Sequence, residues 1–190
     1  MPPKSRITRE MILEAAYDIA RTQGAEQINA RAVAAKLGCS TQPVLYHFDH
    51  VEDIRREVFR MANEYHGEFL MQSRPDDDPL LAMGLNYVRF AAQEKQLFRF
   101  LFQSDSFAGQ SIADFIDAPE AAPMMAMFRK ETGLSAEQTR RLFRTMMLLS
   151  HGCGSLLANN AMEYHEEEIA PMLETAFLSI FGAMQQEETK

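Results

Sequence analysis

Polar side chains that can address a nucleic acid crowd into one short stretch, Gly38-Cys39-Ser40-Thr41-Gln42-Pro43-Val44-Leu45-Tyr46-His47-Phe48. Gln42 can pair bidentately with adenine, and Thr41 can offer a base its hydroxyl or a thymine its methyl group. Tyr46 and His47 can hydrogen-bond phosphates, contacts that position a protein on a duplex without reading its sequence. Ser40, Arg31 and Lys36 extend the same set, and Lys4 and Arg6 could reach phosphate or the minor groove. The alternative is that all of these are ordinary solvated side chains.

Such a surface needs a support. Gly38 can take a positive φ, Ser40 can cap the following turn by accepting from a free amide, and Pro43 is tolerable only within that first turn. The pattern predicts a helix of barely two turns, with Thr41 and Gln42 at its tip and Leu45 and Phe48 facing inward. Two helices precede it. Thr8 caps the first, which carries Ile12, Ala16, Ile19 and Ala20 on one face and ends at Gly24. Asn29 caps the second, which turns Val33 and Leu37 inward and stops at Gly38. The last two of the three have the layout of a helix-turn-helix.

A fourth helix follows, with Ile54, Val58, Met61, Tyr65 and Phe69 on its apolar face. It runs out near Ser73-Arg74-Pro75-Asp76-Asp77-Asp78-Pro79, and so forms a candidate strut between two parts. Further helices are predicted over 80–93, 96–103, 119–130 and from a capping box at Ser135-Ala-Glu-Gln138 to about Met162, with a turn about Ile112, Phe115 and Ile116. In the last helix Pro171 either marks the start or makes a kink. No alternating, β-branched stretch reads as a strand, so the expected class is all-α. The expected division is a helix-turn-helix, DNA-binding domain over 1–50 and a second helical domain over 51–190.

Composition agrees with a folded chain, since 46% of the 190 residues are hydrophobic. The net charge is −8, but up to Arg60 nine Lys/Arg stand against eight Asp/Glu, and beyond it ten stand against nineteen. The first part is therefore compatible with a polyanion and the second is not. Cys39 and Cys153 are far apart and form no disulfide framework, which fits a reducing, cytoplasmic setting. No signal-like or membrane-spanning run occurs.

Other chemistry is poorly served. His47, Asp49 and His50 lack the partners of a metal site, and His165 with Glu166, Glu167 and Glu168 reads as an acidic, solvated helix start. Gly152-Cys153-Gly154-Ser155 lacks the order of a nucleophile elbow. No P-loop, HExxH or dinucleotide fingerprint is present, so neither enzyme nor cofactor is expected. Gly152, Gly154, Ser155 and Ala158 suit close helix packing, either with a second copy through the last two helices or within one subunit. Phe90, Phe98, Phe102, Phe115, Met124, Met125, Phe128, Met146, Met147 and His151 could line an apolar cavity, or form plain core.

Thr8 to Phe59 resembles the DNA-binding domain of TetR/AcrR-type regulators, through Ile12-Leu13-Glu14-Ala15-Ala16, Gly24, Arg31-Ala-Val-Ala-Ala-Lys-Leu-Gly-Cys-Ser40 and Tyr46-His47-Phe48. The resemblance implies a homodimer of all-α subunits, usually a repressor, that leaves a double-stranded operator when a small apolar or amphipathic effector enters the C-terminal part. Two departures from the family pattern stand out: Val51, where a phosphate-binding Lys is frequent, and Gln42-Pro43, where small residues are common. A constitutive regulator, an activator and, further off, an all-α enzyme are the alternatives.

Overall fold

A computed structural model describes residues 7–72, 78–104 and 108–187. Among these residues the fold is all-α: ten α-helices, two short 3₁₀ turns and no strand. No helix among them is long and apolar enough to cross a membrane. Lys4, Arg6 and most of the proline- and aspartate-rich break after Gln72 lie outside the described residues.

The helices are α1 (Arg9–Gln23), α2 (Ala30–Lys36), α3 (Thr41–His47), α4 (Val51–Leu70), α5 (Pro79–Gln93), α6 (Lys95–Phe102), α7 (Ile112–Ile116), α8 (Ala122–Thr132), α9 (Ala136–Asn159) and α10 (Glu166–Glu187). Their ends follow local chemistry. The Thr8 hydroxyl accepts from the Met11 amide, and the Asn29 side chain accepts from the amides of Arg31 and Ala32. Ser135 and Gln138 form the reciprocal capping box that starts α9. Gly133 takes a left-handed φ of 68° to end α8, a conformation that costs glycine little.

The chain folds into two compact units, Met1–His66 with Glu94–Ser106, and Gly67–Gln93 with Phe107–Lys190. This differs from a division at residue 50: the first unit keeps most of α4 and takes in α6 as well. In the first unit α1 packs on α2, α3 and α6 around Ile12, Ala16, Ile19, Ile28, Val33, Val44, Phe48, Leu97 and Phe98. The second unit is built on α5, α8, α9 and α10, with Val88, Phe90, Leu142 and Leu173 at its centre.

Several expectations are revised. The buried stripe of α4 is Ile54, Val58, Ala62 and His66, at strict intervals of four, with Phe69 and Leu70 closing it; Met61 and Tyr65 are only half-buried. Helix α9 stops at Asn159, three residues before Met162. Pro171 does not start α10, which begins five residues earlier at Glu166. Its missing N–H leaves the Glu167 carbonyl without the usual i−4 donor.

Candidate nucleic-acid interface

Helix α3 is held from behind. Val44 is fully buried and Phe48 nearly so, and Phe48 lies under the Arg9 guanidinium, 4.9 Å from ring centroid to Cζ. Arg9 in turn bonds Glu57 on α4 at 3.0 Å. Arg55, also on α4, donates to the Ile28 carbonyl at 3.1 Å and so ties down the 3₁₀ turn Ala25–Gln27 ahead of α2. The turn between α2 and α3 passes through Gly38 at φ 64°.

Rotation about α3 differs from expectation at one residue. Val44 and Phe48 are one helical turn apart and share the inner face. Leu45, expected to point inward, is one residue on from Val44 and is 53% exposed. Gln42 is exposed, Thr41 half-buried, and Tyr46 is 77% exposed.

Ser40 is the N-cap residue of α3, but its hydroxyl makes no capping bond. Of the two amides that a capping oxygen can use, those of the second and third residues of the helix, one is missing here, because the third residue is Pro43 and has no N–H.

His47 is drawn into the structure. Its Nε2 lies 3.1 Å from the Ile7 carbonyl oxygen, which can only accept, so that nitrogen carries the hydrogen. Nδ1 alone is left for a phosphate, and it can donate to one only in the protonated ring. Tyr46 meets the same ring edge-on at 5.3 Å between centroids. Arg31 is exposed at the start of α2, and Lys36 forms an ion pair with Asp18 of α1. A sequence signal beyond the individual contacts is the charge of the whole segment. From Gln27 to Phe48 there is no Asp or Glu, and Arg31 and Lys36 are its formal charges. Cys39 is half-buried.

The aromatic and methionine residues expected to line one cavity are split between the units. Phe98 and Phe102 belong to the first, with ring centroids 5.0 Å apart, and Phe102 meets His66 edge-on at 5.1 Å. Burial pushes the His66 imidazole down to about 3. Phe90, Phe115, Met124, Met125, Phe128, Met146, Met147 and His151 belong to the second. Of these Phe90, Phe128 and Met146 are buried, whereas Phe115, Met124, Met125, Met147 and His151 are half-buried.

Two polar clusters of the second unit were not foreseen. The Tyr87 hydroxyl lies 2.9 Å from Nδ1 of His151; burial raises the pKa of the phenol and lowers that of the imidazole. Buried Asn86 donates to the carbonyls of Leu70 and Gln72 and accepts from Arg89 at 3.0 Å, and Arg89 pairs with Glu166 at 2.7 Å. An asparagine or tyrosine within an apolar helix is the only trace of such contacts in the sequence, because their partners are distant in the chain.

The stripe of small residues on α9 divides. Gly154 and Ala158 are buried inside the chain, whereas a Cβ on Gly152 would meet nothing within 4 Å. Leu148, Leu156, Met172 and Leu178 leave α9 and α10 with large exposed apolar side chains. Among the described residues no group of three or more His, Cys, Asp or Glu could hold a metal ion. No protein-family model matches the chain, and no curated protein matches it.

Proposed function

We propose that the chain is a dimeric, ligand-responsive transcriptional regulator of the TetR/AcrR type, most simply a repressor. The observation that carries this reading is the surface of α2 and α3. Two short helices meet at a positive-φ glycine, in a segment of 22 residues without a carboxylate, Gln27 to Phe48. The outer face of α3 offers an amide, a phenol and a half-buried hydroxyl, while Val44 and Phe48 anchor the inner face. In such a helix-turn-helix, Thr41 and Gln42 address base edges. Tyr46, Arg31 and protonated His47 address phosphates, joined by Lys36 if it exchanges Asp18 for one.

Dimerisation through α9 and α10 accounts for the apolar side chains exposed there, and the resulting pair of α3 helices would enter successive major grooves about 34–36 Å apart. Helix α4, with residues in both compact units, is the route by which an effector in the second unit alters that spacing. The effector acts only through its different affinity for the two arrangements.

Selection of duplexes from a random-sequence library by the full chain tests the reading directly, and a pseudo-palindromic consensus is the expected product. Gln42→Ala should then weaken the selected duplex by about 1–3 kcal/mol and leave random DNA nearly unaffected. Equal loss on both would remove Gln42 from sequence reading, and no enrichment at all would sink the function.

A further inference from the structure

Leu45 is a large aliphatic side chain on the outer face of α3, 53% exposed. It stands three residues after Gln42 and four after Thr41, so all three occupy one side of the helix. The rotation that puts it there is fixed by Val44 and Phe48, both buried. Thr41–His47 contains no Asp, Glu, Lys or Arg, and the surrounding segment from Gln27 to Phe48 is purely basic in its formal charge. That charge complements a polyanion. The apolar side chain projecting from it has no hydrogen-bonding capacity with which to read a donor or acceptor.

On the major-groove edges of the four bases, thymine alone presents an apolar group, its 5-methyl. We propose that Leu45 reads the 5-methyl group of a thymine in each half-site, so that part of the sequence preference of α3 is apolar rather than hydrogen-bonded. The proposal rests on the DNA-binding function above and names a specificity residue within it. Gln42 selects by donor and acceptor pattern. Leu45 selects by the presence of one methyl group, which separates thymine from cytosine and equally from deoxyuracil.

Deoxyuracil differs from thymine only by that methyl, which permits a direct test. Duplexes selected by the full chain are rewritten one thymine at a time with deoxyuracil, and binding is measured for wild type, Leu45→Ala and Gln42→Ala. Wild type should lose roughly four-fold at one position per half-site, the value of burying one methyl group. Leu45→Ala should bind the parent duplex more weakly by at least that factor and lose its response to deoxyuracil at that position alone. Gln42→Ala should keep the response. Because Leu45 is exposed, its replacement should leave the melting temperature unchanged.

The proposal is overturned if Leu45→Ala binds the parent duplex as tightly as wild type, the result expected if this face serves another protein. It is equally overturned if the variant retains the response at every sensitive thymine. Failure to select any duplex overturns the DNA-binding function itself, and this proposal with it.

Discussion

Helices α5 and α6 follow one another with Glu94 alone between them, yet they belong to different units. Helix α5 packs on α9 and α10; α6 packs on α1. Both are rich in large apolar residues, and hydrophobicity by itself does not sort them. Polar groups do. Glu94 is buried and needs partners; it accepts from Nε of Arg21 at 2.8 Å, from a second nitrogen of the same guanidinium, and from the Tyr65 hydroxyl at 3.2 Å. Those contacts pin the start of α6 to α1 and α4. In α5 the corresponding groups are Asn86 and Tyr87, whose partners lie at the end of α4 and on α9. Gly84 adds a steric condition, since a Cβ there would come within 3.2 Å of Leu173. Consecutive apolar helices are thus assigned to different cores by a few buried polar groups and one missing side chain.

The sharpest way to break this comparison is to empty each core in turn. Phe98 in α6 and Phe90 in α5 are both fully buried, so either replacement by Ala should cost about 3–5 kcal/mol. Hydrogen exchange should place the loss in α1 and α6 for Phe98→Ala, and in α5 and α9 for Phe90→Ala. Identical exchange patterns would mean that the two units are not separate cores.

Acidification comes next in size. His66, against Phe102 of α6, is held down to about 3 by burial, whereas an unfolded imidazole titrates near about 6.5. The unfolded state therefore takes up the proton first. Stability from this site is complete above pH 6.5 and is lost progressively as pH falls toward 3, by an amount on the order of a few kcal/mol. His66→Asn should flatten the pH dependence of unfolding over that window. His151→Asn should flatten it less, because His151 is less deeply buried and its lowering is smaller.

Glu94→Gln gives a smaller effect. It keeps the shape but removes the charge facing Arg21, whose side chain is 45% exposed. A loss of about 1–2 kcal/mol is expected, read by denaturant titration. Glu166→Gln, which removes the charge from the half-exposed pair with Arg89 in the second unit and leaves the Arg89–Asn86 bond in place, should cost less than that.

The segment from Thr8 to Phe48 was legible in most of its local signals. Thr8, Asn29, Gly24 and Gly38 mark ends that depend on neighbours within four positions. The capping box at Ser135 and Gln138 was legible for the same reason. Leu45 was not, because Val44 and Leu45 are equally apolar and the choice between them depends on how α3 is rotated against α1 and α2. Nor was the bond from His47 to Ile7, which joins residues 40 positions apart.

Amino-acid sequence alone determined the all-α class, the positions of most helices, the charge difference between the two parts and the polar set on α3. Each is a short-range property of spacing, capping or composition. Only the tertiary structure decided that α6 joins the N-terminal helices, that the expected cavity residues fall into two units, that Asn86 and Tyr87 find their partners, and that Leu45 faces outward. These depend on which buried polar groups meet and how helices are rotated. Neither is encoded within a window of a few residues.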